Sequence, residues 1–314
     1  MEEYPRTLSE LEKWFSTEEA CRNYLFTLRW PEGFRCPRCG RGKGWPLEKG
    51  MVQCVECGYK ASITAGTIFE GTHKPLTLWF RAIWWVTSQK NGASAKGIQA
   101  ILGLGSYETA WTWLHKLRRA MVRPGRDRLS GEIEVDETYV GGAHEGKRGR
   151  GARGKSLVVI AAQLDGPRKI GRIRLQPVPD ASAESLIEAV QQTTEPGSLI
   201  RTDGWPSYGP LEDKGFRHSV VRQESEVGDN LLPRCHRVAS LLKRWLLGTH
   251  QGGISHEHLA YYLDEFTFRF NRRTSRHRGK LFYRLVQQTV ATEPSPYEQM
   301  IKGIRGLKPG THNL

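Results

Sequence analysis

The chain has 314 residues, 38% hydrophobic and 10% aromatic, which suits two or three packed domains and excludes a disordered chain. Lys and Arg outnumber Asp and Glu by 47 to 33, and the formal charge of +14 favours a polyanionic partner, of which nucleic acid is the obvious one. No stretch approaches the ~20 apolar residues of a membrane span, and the acidic start Met1-Glu2-Glu3 lacks a signal-peptide pattern, so the chain reads as cytoplasmic, where paired thiols hold metal more often than they form disulfides.

The first element is a helix after the capping-box pattern Ser16-Thr17-Glu18-Glu19, with Cys21, Tyr24, Leu25 and Leu28 on one face. Cys21 there is a packing residue. Next come Cys36-Pro37-Arg38-Cys39-Gly40 and Cys54-Val55-Glu56-Cys57-Gly58. Two C-x₂-C pairs on glycine-closed knuckles give tetrahedral Zn²⁺ four thiolates and leave no open position, so the metal is structural. The segments from Trp45 to Gln53 and from Tyr59 to Ile63 read as short strands, which makes residues 1–72 an N-terminal helix plus a zinc ribbon.

Residues 73–125 are helical. Leu76 to Val86 carries apolar residues at helical spacing, Asn91-Gly92 breaks it, and Ser94 to Leu102 forms a short helix. Gly103 to Ser106 turns into a third helix ending near Met121. The glycine-bearing turn resembles a helix-turn-helix, in which Thr109, Thr112, His115, Lys116 and Arg119 would face DNA. A three-helix connector packed on its tryptophans fits the same pattern.

From residue 126 the texture changes to strands: Ile133 to Tyr139, Leu157 to Gln163, Lys169 to Val178, then a helix from Ser182 to Gln192 and a strand Leu199 to Thr202. Three antiparallel-looking strands, a helix and a further strand follow the order of an RNase H-like α/β core, here residues 126–292 with a tail at 293–314. Asp136 lies on the first of these strands and Asp203 just past the fourth. Two carboxylates on neighbouring strands suit Mg²⁺ or Mn²⁺, which take phosphate oxygens in their open positions. The glycine-rich insert from Gly142 holds Lys147, Arg148, Arg150, Arg153 and Lys155, and the stretch from Arg269 to Lys280 holds Arg272, Arg273, Arg276 and Arg278. Both suit phosphate contacts. The three histidines between Gly248 and His258 read as turn and capping residues.

Cys36-Pro37-Arg38-Cys39, Gly66-Thr67-Ile68-Phe69-Glu70-Gly71, Val135-Asp136-Glu137-Thr138-Tyr139-Val140-Gly141-Gly142 and the run from Asp264 to Arg273 resemble the IS1595-group, ISXO2-like transposases of the DDE superfamily, over nearly the whole chain. The resemblance implies a zinc ribbon before an RNase H-like core, double-stranded DNA with terminal inverted repeats as partner, and cleavage and strand transfer supported by Mg²⁺ or Mn²⁺. It implies a homodimer or larger synaptic assembly, because two ends must meet. The family's third ligand, usually Glu or Asn, precedes a stretch matched here by Ser240-Leu241-Leu242-Lys243-Arg244, which aligns it with His236. The triad then reads Asp136, Asp203 and His236, with Lys243 and Arg244 on phosphate. Glu224, Glu226 and Glu265 are the other candidates for third ligand, Glu265 with a structural role preferred. A nuclease without strand transfer, or a DNA-binding regulator with an inactive core, accounts for the same motifs.

Overall fold

Two threonines start the chain's first helices. In α1 (Leu8–Trp14) the Thr7 hydroxyl accepts from the Glu10 N–H, and in α2 (Glu18–Arg29) the Thr17 hydroxyl accepts from the Ala20 N–H, both at 3.1 Å. The cap of α2 therefore falls one residue after Ser16. Cys21 and Leu25 are buried beneath it, and burial pushes the Cys21 thiol up to about 12, which fits packing. The computed structural model describes residues 2–123, 125–141, 155–224, 230–251 and 254–302.

A three-stranded antiparallel sheet follows, β1 (Gly44–Pro46), β2 (Met51–Cys54) and β3 (Lys60–Ser62) in that spatial order. Then come α3 (Leu76–Ser88), α4 (Ala95–Leu102) and α5 (Tyr107–Ala120). Ser94 and Ser106 cap α4 and α5 through the N–H groups of Gly97 and Thr109, and Gly103 closes α4 in the left-handed conformation at φ 62°. The two helices and their turn lie where the sequence places them, but α5 is a packed helix. His115 and Arg119, expected to face DNA, are buried, and Arg119 donates to the Glu293 carbonyl at 3.3 Å. Thr112 and Lys116 are half-buried. Trp113 stacks on Trp79 of α3 at 3.7 Å between ring centroids. This packing matches the connector arrangement.

The second unit has β4 (Glu132–Val140), β5 (Ser156–Leu164), β6 (Ile170–Val178), α6 (Ala183–Thr193), β7 (Leu199–Thr202), β8 (Arg217–Val220), α7 (Pro233–His250) and α8 (Leu259–Phe270). Its sheet runs β6-β5-β4-β7-β8, antiparallel across β6, β5 and β4 and parallel across β4, β7 and β8. The strand alternation sorts its residues between two cores. Ile133, Val135, Val159 and Ala161 pack with Leu186 and Val190 of α6, while Val158, Ile160 and Ala162 pack with Cys235, Val238, Leu242 and Leu246 of α7 and with α8. The short strand β8 has no counterpart in the sequence expectations.

After this unit the chain adds α9 (Arg278–Thr289) and α10 (Tyr297–Ile301). They belong to the first unit, which consists of the residues up to Arg123 together with those from Ser275 on; the second is Pro124–Thr274. That division differs from the expected core of 126–292, because Phe282 of α9 packs against Phe15 and against Phe80 and Trp84 of α3.

β6 is an edge strand, and the segment after α8 covers part of that edge. The Asn271 amide accepts from the Ile173 N–H at 2.7 Å and donates to the Ile173 carbonyl at 3.0 Å, standing in for a neighbouring strand. Asn271→Ala leaves both groups without that partner and should lower the stability of this unit by about 1–3 kcal/mol. Urea unfolding followed by a probe within residues 124–274 tests this; an unshifted midpoint would show that water serves the edge equally well.

Candidate functional site

Cys54 ends β2, and the turns on either side of the ribbon sheet bring the other three cysteines to it. Cys36 Sγ lies 3.6 Å from Cys57 Sγ and Cys39 Sγ lies 3.6 Å from Cys54 Sγ, and all four sulfurs fall within 4.8 Å of one another. Tetrahedral zinc with Zn–S bonds of ~2.3 Å needs edges of about 3.8 Å, so the donor set fits. Gly40 and Gly58, at φ 73° and 65°, turn their N–H groups back to the Cys36 and Cys54 carbonyls.

On β4, even-numbered residues face α7. That alternation presents Asp136 to His236, whose Nε2 lies 3.3 Å from Asp136 Oδ2, while its Nδ1 bonds the Asn230 side chain. The parallel register pairs Glu132 with Leu199, Ile133 with Ile200 and Glu134 with Arg201. Carried forward, it puts Asp203, the first residue past β7, level with Asp136. The Asp203 carboxylate accepts from the Trp205 N–H at 3.0 Å and lies 4.0 Å from the exposed Arg222 guanidinium. Among the described residues, the cysteines are the one group of three or more such side chains whose ligand atoms close within 4.8 Å. Asp203 thus stands beside the Asp136–His236 pair without closing on it.

A cleft of ≈ 490 Å³ opens over this pair, lined by Asp136, Glu137, Thr138, His236, Ala239, Ser240 and Lys243. The last four share one helical face of α7. Burial, with the Glu137 and Asp203 charges adding to it, raises the Asp136 carboxyl to about 6, against the Glu137 N–H and His236, which act to lower it. Burial and the nearby Lys155 lower the Lys243 ammonium, whereas Asp136 acts to raise it. Lys155 and Lys243 therefore bring cations toward the same cleft, and Arg244 is exposed one residue on.

The other basic residues have different surroundings. Arg273 donates to the Gly171 and Ile170 carbonyls and sits 4.1 Å over the Phe270 ring; Arg272 sits 4.1 Å over Phe268. Both arginines are thus engaged locally, which the basic run did not suggest. Arg276 is exposed and Arg278, half-buried, opens α9. Lys147, Arg148, Arg150 and Arg153 lie outside the described residues, as does Glu226; the Glu224 side chain is likewise not described. Glu265 is buried and paired with Arg269 at 2.8 Å, matching the preferred structural role.

Sequence reasoning missed Glu134 and Arg234. Glu134, at 2% exposure, pairs with Arg234 at 2.7 Å beneath the start of α7. The available signal was the spacing Glu134-x-Asp136, which puts two carboxylates on one strand face.

Residues 128–271 match the family described as the ISXO2-like transposase domain, and residues 16–60 match the transposase zinc-ribbon domain. The chain is also 30% identical over 302 residues to the "Uncharacterized protein in transposable element ISH50" of Halobacterium salinarum, covering 88% of this chain and 98% of that protein. The two domain matches together define a protein of the zinc-ribbon transposase class. The chain belongs to the IS1595-group, ISXO2-like family. Among the described residues no helix is long and apolar enough to cross a membrane.

Two outcomes follow for the site's residues. Cys54→Ala should abolish binding of one zinc per chain and open residues 30–63 to protease, because so small a unit draws its folding energy from the metal; metal analysis and limited proteolysis check this, and retained zinc refutes it. For Asp136 the sign is set by its raised carboxyl. The stability that it contributes is complete below 3.8 and is lost as pH rises through about 6. Asp136→Asn should therefore stabilise the unit by about 1–3 kcal/mol at pH 7.5 without divalent ions, and by less than half of that at pH 4.5. Equal urea midpoints for the two proteins at pH 7.5 would contradict it.

Proposed function

We propose that the protein is a DNA transposase that binds the terminal inverted repeats of an insertion sequence, cleaves the transposon ends and joins the 3′ ends to target DNA. The observation that carries this reading is the level placement of Asp136 on β4 and Asp203 just past the end of its parallel neighbour β7, with His236 delivered from α7. The sheet order, with three antiparallel strands followed by two parallel ones and helices on both faces, supports an RNase H-like core.

Two hard carboxylates and an imidazole suit Mg²⁺ or Mn²⁺, and the raised Asp136 carboxyl marks a site short of positive charge. Asp136, Asp203 and His236 would hold the ions, which when bound activate a hydroxyl nucleophile and offset charge at the phosphodiester. The chain's own residues supply the rest. Asn230 fixes the ring of His236 through Nδ1, which turns Nε2 toward Asp136. Lys243 and Lys155 draw a phosphate to the mouth of the cleft, and Arg244 extends that surface along the backbone. The zinc ribbon supplies a second DNA contact, and bringing two ends together requires at least two copies of the chain. An imidazole where the family usually has Glu or Asn brings no negative charge, so it binds the ion more weakly than Glu would and tilts the preference toward Mn²⁺.

The test is cleavage and joining of a matching inverted-repeat end. Asp136→Ala and Asp203→Ala should each lower the rate by roughly 10²–10⁴, a loss of several kcal/mol of transition-state stabilisation. His236→Ala should lose Mn²⁺-supported cleavage, and His236→Glu should restore cleavage with Mg²⁺ favoured. An Asp203→Ala protein as active as the parent would sink the assignment. Nicking without joining would mark a nuclease, and DNA binding without nicking a regulator.

A further inference from the structure

We infer that Glu134 is a positioning residue that sets His236 against Asp136 by capping α7 from the sheet; this rests on reading that site as the catalytic centre. α7 begins at Pro233, and its N-cap Leu232 offers no side-chain hydrogen bond. The first turn of any helix leaves N–H groups without intrahelical acceptors. Here a carboxylate on another element accepts them. Glu134 Oε2 takes the backbone N–H of Arg234 at 2.7 Å and of Cys235 at 3.2 Å, while Oε1 takes Arg234 Nη1 at 2.7 Å. These two amides are the ones a local capping side chain would serve. The charge also faces the positive end of the helix dipole.

The next residue is His236. Glu134 and Asp136 are two apart on β4 and face the same side, so one strand segment carries both a ligand and the anchor for the helix that delivers another. Arg234 extends the anchor, donating to the Gly166, Pro167 and Lys169 carbonyls in the turn between β5 and β6. Farther along, α7 is held by Val238, Leu242 and Leu246, which are buried in the core. Loss of the cap therefore frees the first turn and lets His236 drift from Asp136 while the rest of the helix stays docked.

The experiment uses the full-length, zinc-loaded chain as the parent, Glu134→Gln, His236→Ala and double-variant proteins. Gln keeps the shape but loses the charge that serves Arg234 and the amides. Without divalent ions, amide exchange at Arg234 and Cys235 should quicken at least roughly tenfold in Glu134→Gln, with residues from Val238 onward unchanged. Titration with Mn²⁺ alone should show roughly tenfold to a hundredfold weaker binding, the loss usual for a group that orients a ligand. In the His236→Ala background the same change should cause no further loss. Unchanged exchange, or an equal loss of Mn²⁺ affinity in both backgrounds, overturns the inference. A parent that binds no Mn²⁺ defeats the catalytic reading instead, and the exchange data still decide the cap. Should Glu134→Gln not fold, Glu134→Asp retracts the carboxylate by one methylene and should give both effects in smaller measure; its absence from both readouts counts against the cap.

Discussion

The pair of buried Glu134 and half-buried Arg234 is the constraint on which the site's geometry depends. Two charges taken from water into a sheet–helix interface cost several kcal/mol, and their mutual attraction offsets that only with good geometry and further hydrogen bonds. Both conditions are met: the carboxylate accepts from two backbone amides as well as the guanidinium, and the guanidinium reaches three carbonyls. An apolar pair would pack at less electrostatic cost but could not fix the start of α7. The same device recurs in the first unit. Glu18 of α2 accepts the Leu76 and Thr77 N–H groups at the start of α3, at 2.9 and 2.8 Å, where Pro75 offers no side-chain cap. Both carboxylates act as caps supplied from another element.

Around Asp136 the charge balance runs against stability. Glu137, Asp203 and burial all disfavour its ionised form, and His236 opposes them only in part. Such an arrangement costs stability at neutral pH, and under the proposed function cations would offset that cost. The buried Tyr208, which donates to Glu137 at 3.1 Å, fixes that second carboxylate beside the first. The ribbon follows another economy. Its sheet buries few apolar side chains, Val52 and Ala61 among them, so metal bonds do there what the α6 and α7 faces do for the larger sheet.

Much of the fold was legible because its signals are local. Alternating apolar residues marked β4 and β6, a continuous apolar run marked β5, and helical spacing with a glycine turn marked the helices of residues 73–125, since such patterns are written within a few neighbouring residues. The C-x₂-C pairs were legible for the same reason. β8 was not, because four residues of mixed polarity carry no period and pair only because β7 lies beside them. The polar faces of α5 misled: Arg119 and His115 look solvent-bound in sequence, yet packing buries them. The run from Arg269 to Arg278 holds local partners that its charge does not reveal. Arg273 is drawn to the carbonyls of an edge strand and Arg272 to Phe268, partners that lie outside what a charge count can register.

The sequence by itself determined the cysteine set, the order of strands and helices from β4 to β7, and the identities of Asp136, Asp203 and His236 as candidates. The cysteines and the two aspartates follow from residue type and short-range spacing, and His236 from the family resemblance. Only the tertiary structure decided that Asp136 and His236 meet, that Asp203 falls level with them without closing on them, and that Glu134 holds the helix that brings them together. Those relations span elements far apart in the chain. They are set by strand register and by the satisfaction of buried polar groups, which depend on which elements become neighbours.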